Sequence, residues 1–337
     1  MKLNKFLLLT ASIAGLVFMS CENEMKQDPE LDIVVTGDGV AYDGQTITVQ
    51  KGTPITFQLG GENDFLTFFS GEAGSKYEYR ERSQVATDQI ESSKLTLGIK
   101  TEYGKLAMID FKVLISKNFE GLAKNKFEAD SVLVEQHDGW ETLLSTEDLP
   151  NPTGTKTYEL DMLPYLGERV ALAFVYKGIA NDQTQPKVYV QNLQVVNQMT
   201  DGTSTSLAAS SLGFTPLNMM YKHNLSDQKS MTSNRPYGTV SNNTSGIWNL
   251  SDMNNFFIHS SGGGAALKYS WLTSNLFVVN ACTPDSGTPL KNITQSLDKY
   301  TYTYAEIGTY TATFVATNGN YNQQKRILRE FTIKVVE

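Results

Sequence analysis

Short runs of alternating apolar and polar residues dominate residues 31–117, and glycine-containing turns separate them. In 46–59, for example, Ile47, Val49 and Phe57 alternate with threonines or glutamines. A period of two places one set of side chains on a buried face and the other in solvent, as in a half-buried antiparallel strand. The number and spacing of these runs predict one small β-sandwich over 31–117.

Residues 118–265 form a second block with a different pattern. The runs 170–176 and 187–196 are longer and more apolar, and they predict a well-buried pair of strands joined by a polar loop. Residues 200–264 are rich in Ser, Thr, Asn and Gly, which indicates loops or a linker. Long loops on rigid sheets often carry binding residues, although a plain surface loop is the simpler interpretation.

The third block, 266–337, has the clearest strand pattern. Residues 300–304 alternate Tyr and Thr, Gly308 follows, and 310–316 alternate again before a last strand over 331–336. This hairpin resembles the polycystic-kidney-disease (PKD)-type Ig-like repeat, and 31–117 resembles the same class more weakly. Long helical periodicity is absent, so we predict an all-β fold of several β-sandwich domains.

Composition and charge narrow the possible partners. The 337 residues are 40% hydrophobic and 19% charged, which is typical of a globular protein and allows two or three domains. Lys and Arg total 28 against 36 Asp and Glu, giving a formal net charge of -8. Because no basic excess is present to neutralise a phosphate backbone, we predict no nucleic-acid partner.

The first residues have the pattern of a targeting segment. Two lysines precede a short apolar run over 6–17, which is too short to span a bilayer and is typical of a signal peptide over 1–20. Residues 18–21, Phe-Met-Ser-Cys, resemble the lipobox of bacterial lipoproteins, which implies lipid attachment at Cys21 and membrane anchoring through acyl chains. The carboxylate-rich segment 21–30 is predicted to be a flexible tether. It resembles the surface-export signal of Bacteroidetes lipoproteins, and a linker that stays in the periplasm is the alternative.

The sequence lacks the motifs that mark most catalytic and cofactor-binding sites. The three histidines are far apart and lack metal-ligand spacing, and neither a P-loop nor a nucleophile elbow occurs. Asp38 and Asp43 flank a turn and could hold calcium, but no EF-hand spacing supports this and turn chemistry explains them. We therefore predict no cofactor, no metal and no catalytic residues. A glycosidase or lyase built on a carboxylate pair is the minor alternative.

Two groups of residues are candidates for ligand binding, because a sugar can stack on an aromatic ring while polar side chains take its hydroxyls. The first group is Trp248 with Asn249, Asp252 and Asn254, for which a buried anchor is the alternative role. The second group is Tyr77, Tyr79 and Arg80. Its structural alternative is an edge strand in which Arg80 pairs with a neighbouring Glu.

Several segments together resemble a Bacteroidetes lipoprotein family known as domain of unknown function 5017. They are the lipobox, residues 64–74 with 77–80, the strand 191–197, and Trp271-Leu272 with 282–287. The resemblance covers nearly the whole chain after the signal peptide. It implies a galactose-binding-like jelly roll over 118–265 between two PKD/Ig-like domains.

The same resemblance implies a place beside outer-membrane glycan-uptake systems. We therefore expect a non-catalytic, lipid-anchored outer-membrane protein, facing the cell surface, that binds a polysaccharide or oligosaccharide and has uptake-complex proteins as further partners. The alternative is an adhesion or assembly protein whose Ig-like domains bind another protein.

Overall fold

The structure is a computed structural model that describes residues 28–219, 236–259, 262–319 and 323–337. In these ranges it contains twenty-one strands and one α-helix. The first eleven strands are β1 Asp32–Thr36, β2 Ala41–Tyr42, β3 Thr46–Gln50, β4 Pro54–Gly60, β5 Phe65–Phe69, β6 Ile90–Glu102, β7 Ile109–Ser116, β8 Glu141–Ser145, β9 Thr155–Asp161, β10 Arg169–Gly178 and β11 Lys187–Met199. The other ten are β12 Ser204–Ala208, β13 Thr215–Asn218, β14 Trp248–Asn249, β15 Asn255–Ile258, β16 Tyr269–Thr273, β17 Phe277–Val278, β18 Thr288–Lys291, β19 Lys299–Thr303, β20 Gly308–Gly319 and β21 Gln324–Val336.

The helix α1 spans Phe127–Gln136. Short 3-10 turns occur at Tyr77–Tyr79, Thr87–Gln89, Leu106–Met108, Thr146–Asp148, Leu163–Tyr165 and Ala209–Ser211. The predicted all-β, multi-domain architecture is confirmed. The helix was not predicted from the sequence, because its apolar residues lack a strong helical period over only ten positions.

The described residues separate into two compact units. Unit 1 combines residues from 28–81 with residues from 284–337, and unit 2 comprises residues from 82–283. The three consecutive domains predicted over 31–117, 118–265 and 266–337 are therefore corrected to two, one of which is built from both ends of the chain. The physical reason is strand pairing, since β20 lies antiparallel to β5 and β21 lies parallel to β3.

Unit 1 is a sandwich of two sheets. The smaller sheet has the order β1-β4-β19 and the larger has the order β18-β5-β20-β21-β3-β2. Alternating residues of both sheets meet in one core, where the rings of Phe57, Phe68 and Phe314 lie between 4.7 and 6.1 Å apart. Burial of these aromatic side chains is the main stabilising term for a sandwich with no disulfide among the described residues.

The predicted tether over 21–30 also needs correction at its end. Pro29 and Leu31 are buried, and the backbone N–H of Glu30 donates to the carbonyl oxygen of Glu62 at 2.8 Å. Residues 28–30 therefore belong to unit 1, because their backbone is paired and their apolar atoms are covered. Cys21 and the predicted signal peptide over 1–20 lie outside the described residues.

Unit 2 is built on two six-stranded antiparallel sheets. One has the order β13-β16-β10-β7-β8 with β17 beside β10, and the other has the order β14-β15-β11-β6-β9 with β12 beside β11. Its core includes Phe174 and Phe256, whose rings meet edge to face at 5.6 Å. The helix α1 packs Val134 into a second apolar cluster with Ala173 and Trp271.

The polar stretch 200–264, predicted to be loops or a linker, contains four of these strands in its described part, β12 to β15. Leu217, Phe256 and Ile258 are fully buried there. The sequence pattern did not predict these four strands, because each is only two to five residues long and has few apolar positions. This part of the chain completes both sheets of unit 2.

Candidate functional site

The first predicted group of ligand-binding residues does not form an exposed platform. Trp248 has 0% of its surface exposed and packs in the core of unit 2 against Phe174 and Phe256. A ring without exposed area cannot stack on a sugar, so the predicted stacking role of Trp248 is wrong. The alternative role, a buried anchor for a polar segment, is the one observed.

The polar side chains next to Trp248 form hydrogen bonds within local turns. Asn249 is buried, and its side-chain N–H donates to the carbonyl oxygen of Asn242 at 3.2 Å. Asp252 accepts the backbone N–H of Asn254 at 2.9 Å. Asn249 and Asp252 therefore stabilise the backbone around β14 and β15. Because Trp248 is also buried, the group does not form the predicted sugar-binding surface.

The second predicted group lies in unit 1, on a 3-10 turn over Tyr77–Tyr79 instead of an edge strand. The guanidinium of Arg80 stacks 4.0 Å from the centre of the Tyr77 ring and donates to the Tyr77 carbonyl oxygen at 2.9 Å. Arg80 also pairs with Glu81 at 3.1 Å, which confirms the predicted pairing with a neighbouring carboxylate. These contacts and the edge-to-face packing of the Phe69 and Tyr77 rings fix the orientation of the Tyr77 ring.

Beside Tyr77 is a cleft of about 300 Å³, which we call the Tyr77 cleft. The loop after β5 forms one wall, and strands β20 and β21 form the floor. It is lined by Gly71, Lys76, Tyr77, Glu78, Thr309, Tyr310, Thr311, Thr313 and Glu330. This volume lies at the lower end of the range for small-molecule pockets and suits a ligand the size of one sugar ring.

The wall exists because β5 stops at Phe69 and the chain turns onto β20. Gly71 has a φ of +82°, and a Cβ at this position would lie 2.5 Å from the carbonyl oxygen of Thr311. Only glycine permits both the left-handed backbone and this close approach. The carboxylate of Asp285 accepts the backbone N–H of Lys76 at 2.9 Å, which ties the loop to the segment before β18.

A tyrosine network supports the loop from the core side. The hydroxyl of Tyr302 donates to the carboxylate of Glu72, and that of Tyr304 donates to the carbonyl oxygen of Ser70 at 2.8 Å. Burial raises the pKa of Tyr302, and the hydrogen bond to Glu72 adds to this effect. The Tyr304 ring stacks 4.7 Å from Tyr310, so the network continues to the lining of the cleft.

The lining of the cleft suits a neutral polyhydroxy ligand. Threonine hydroxyls donate and accept hydrogen bonds, the exposed carboxylates of Glu78 and Glu330 accept them, and Tyr77 supplies an aromatic ring. Thr313 is fully buried and its hydroxyl lies 3.4 Å from Glu330. Among the described residues no three His, Cys, Asp or Glu side chains are arranged to hold a metal ion.

The two aspartates considered for calcium lie elsewhere in unit 1, Asp38 on the turn between β1 and β2 and Asp43 on the turn between β2 and β3. Asp43 accepts the backbone N–H groups of Gln45 and Thr46 at 2.9 and 2.7 Å. The hydrogen bond from Thr46, followed by that from Gln45, lowers the pKa of Asp43. Turn chemistry accounts for this residue.

Unit 2 contains two wider hollows with fewer polar groups. One, of about 770 Å³, lies along α1 and includes Val132 and Leu133, and the other, of about 550 Å³, lies beside Phe127 and Tyr237. Neither places an aromatic ring among several hydroxyl and carboxylate groups. The Tyr77 cleft is therefore the better candidate site.

The sequence predicted Tyr77 as a ligand-binding residue but did not predict the residues that line the cleft with it. Tyr310, Thr313 and Glu330 lie more than 200 residues further along the chain and reach the cleft through the pairing of β20 with β5 and β21. Tyr79 and Arg80 flank the cleft without lining it. The one available signal was the strict alternation in 308–316, which indicates that one face of β20 is polar.

These features define an all-β protein with two sandwich units and a polar cleft on one of them. The chain belongs to the family described as Domain of unknown function (DUF5017), whose sequence profile matches residues 20–214. The family predicted from the sequence motifs is confirmed over this range. No curated protein and no solved structure matches the chain.

Within the described ranges, no helix has the length and apolar composition that a membrane span requires.

Proposed function

We propose that this protein is a non-catalytic glycan-binding lipoprotein of the outer membrane, facing the cell surface beside a polysaccharide-uptake system. The observation that carries the binding function is the Tyr77 cleft, where an oriented aromatic ring meets threonine hydroxyls and two carboxylates. A sugar presents an apolar C–H face to the ring and hydroxyls to the polar groups. The location rests on the lipobox-like residues 18–21 and the carboxylate-rich segment that follows them.

The binding function is tested with the chain from residue 22, produced without lipid and screened against a panel of polysaccharides by affinity electrophoresis. We expect retention by at least one polysaccharide and weaker retention of Glu330→Gln, which removes a charged acceptor from the cleft. Glu168→Gln, which removes one exposed carboxylate from unit 2, is the matched control. The proposal fails if wild-type protein migrates unchanged in every gel.

The absence of catalysis is tested on the same polysaccharide. We expect no release of reducing sugar or unsaturated product on long incubation. Release that is lost in Glu330→Gln or Glu78→Gln would instead indicate a glycosidase or lyase in the cleft.

The location is tested by mass spectrometry of the protein from its native host. We expect a mature chain that begins at an acylated Cys21. An unmodified thiol at Cys21, or an intact segment 1–20, would remove the basis for membrane anchoring.

Protein binding is the second candidate function, and one observation favours it. Strand β1 lies at the edge of the three-stranded sheet, and Val34 on this strand has 62% of its surface exposed. An exposed edge strand can accept a strand from another protein. Pull-down from outer membranes with wild type and Val34→Lys distinguishes the two functions, since Val34→Lys would abolish protein capture and leave glycan retention unchanged.

A further inference from the structure

The floor of the Tyr77 cleft continues as a row of threonines across the larger sheet of unit 1. Thr311 on β20 is the register partner of Thr332 on β21, and Thr332 is the register partner of Thr46 on β3. Neighbouring strands lie about 4.8 Å apart, so this row extends roughly 10 Å. The next row contains Thr309, Lys334 and Thr48 in the same order of strands.

The threonines of the row lie on the outer face of the sheet. Phe331 and Ile333, which flank Thr332, are core residues, as is Ile47 beside Thr46. Because side chains alternate across a strand, Thr332 and Thr46 lie on the face opposite the core. Both are half-buried and Thr311 is exposed, so their hydroxyls form a surface that a ligand can reach.

This surface begins inside the cleft. Thr309 and Thr311 belong to both the cleft lining and the threonine rows. Strand β5 ends at Phe69, opposite Thr313, so the wall formed by the loop stands on one side of β20 while β21 and β3 extend from the other. A ligand that contacts Tyr77 can therefore extend along a continuous polar surface formed by β20, β21 and β3.

Charges of both signs lie near the rows, including the carboxylate of Asp43 beside Thr46. Glu78 and Glu330 carry negative charge, and Lys76 and Lys334 carry positive charge. A surface with mixed charges and many hydroxyl groups gives no net attraction to a polyanion or a polycation. It complements a neutral chain that offers hydroxyl groups at regular intervals.

Resting on the proposed function, we propose that the ligand is an extended neutral glycan chain that lies across β20, β21 and β3, with one sugar held in the Tyr77 cleft and the following sugars on the row Thr311, Thr332 and Thr46. Each threonine hydroxyl then exchanges a water contact for a contact with a sugar hydroxyl. Affinity consequently increases with chain length until the ligand spans the row.

The test uses neutral oligosaccharides, from disaccharide to hexasaccharide, prepared from a polysaccharide that wild type retains. Affinities are measured by titration calorimetry for wild type and for the double variant Thr46→Val/Thr332→Val. Valine keeps the branched shape and strand preference of threonine and replaces the hydroxyl with a methyl group. The double variant Thr155→Val/Thr157→Val, at two exposed positions of β9 in unit 2, is the matched control.

For wild type and the control we expect the hexasaccharide to bind about tenfold more tightly than the disaccharide, as for two added net hydrogen bonds. The Thr46→Val/Thr332→Val variant should bind the disaccharide like wild type and lose this tenfold gain. Equal affinity at all lengths, or an unchanged gain in the variant, would overturn this inference and leave the Tyr77 cleft as the whole site. If wild type is retained by no polysaccharide in the affinity gels, the proposed function itself fails, and this inference fails with it.

Discussion

Ile47, near the start of the described chain, is the parallel register partner of Ile333, close to its end, and both side chains are fully buried. Unit 1 therefore cannot form from either end of the chain alone. Its larger sheet requires β3 and β5 from one end and β18, β20 and β21 from the other.

A polar substitution at the C-terminal end should accordingly unfold the N-terminal segment too. We expect Ile333→Asn to lower the free energy of unfolding of unit 1 by about 3 to 5 kcal/mol, because it removes buried apolar volume and buries an amide. Lys334→Asn, at the neighbouring exposed position, should change it by less than about 0.5 kcal/mol. Limited proteolysis followed by mass spectrometry provides the measurement, with new cleavage sites in 28–81 for Ile333→Asn. Continued protection of 28–81 would favour a separate N-terminal domain.

Removal of the Trp248 side chain should affect stability and leave glycan binding intact. We expect Trp248→Ala to destabilise unit 2 by about 3 to 5 kcal/mol through loss of buried aromatic surface, and Trp248→Phe to cost less. Denaturant unfolding measures the first effect, and affinity electrophoresis of the folded fraction measures the second. Loss of retention at unchanged stability would restore Trp248 as a ligand-binding residue.

Strand alternation predicted much of this fold, because a period of two reports directly on a two-sided environment. The alternating runs 45–49, 54–59 and 65–69, which predict strands, correspond closely to β3, β4 and β5. The pattern says nothing about partners, so the parallel pairing of β21 with β3 could not be read from it. For this reason, the sequence pattern did not predict that the two ends of the chain form one unit.

The candidate site was harder to predict than the strands. Trp248 and Tyr77 both occur among polar residues, and composition cannot tell a buried ring from an exposed one. Tyr77 lines the cleft because β5 ends and Gly71 packs on Thr311, whereas Trp248 is covered because β14 pairs with β15. Both outcomes depend on contacts between segments distant in sequence or on strands too short to recognise.

The buried carboxylate of Asp130 should be a strong stabilising element of unit 2. It accepts the backbone N–H groups of Ala123 and Lys124 at 2.9 and 2.8 Å and the hydroxyl of Tyr237 at 2.6 Å. We expect Tyr237→Phe to cost about 1.5 to 3 kcal/mol, as for a hydrogen bond to a charged group, and Asp130→Asn to cost at least as much.

A double-mutant cycle on unfolding free energies checks this prediction. The cost of Tyr237→Phe should fall to below about 0.5 kcal/mol once Asp130 is replaced by Asn. Fully additive costs would show that the two side chains do not act together.

Unit 2 should become less stable on mild acidification because of His259. Burial, and secondarily the charge of Lys187, lower the pKa of His259 below its ordinary value of 6.5. The unfolded chain therefore binds a proton more readily than the folded chain, so stability is full above about pH 6.5 and is lost as pH falls towards the lower folded value.

Thermal unfolding at pH 7.5 and 5.5 measures this effect. We expect a smaller difference between the two pH values for His259→Gln than for wild type, with His137→Gln as the control, since both variants remove one imidazole. An equal difference in wild type and His259→Gln would show that other groups govern the acid response.

The most direct test of the central claim compares two tyrosine variants in one affinity gel. Tyr77→Ala removes the ring of the cleft, and Tyr103→Ala removes a tyrosine of unit 2 that has 58% of its surface exposed. With a polysaccharide that retains wild type, we predict at least a tenfold loss of affinity for Tyr77→Ala, which corresponds to about 1.4 kcal/mol of binding free energy, and none for Tyr103→Ala. Wild-type retention of a folded Tyr77→Ala protein would contradict glycan binding in this cleft.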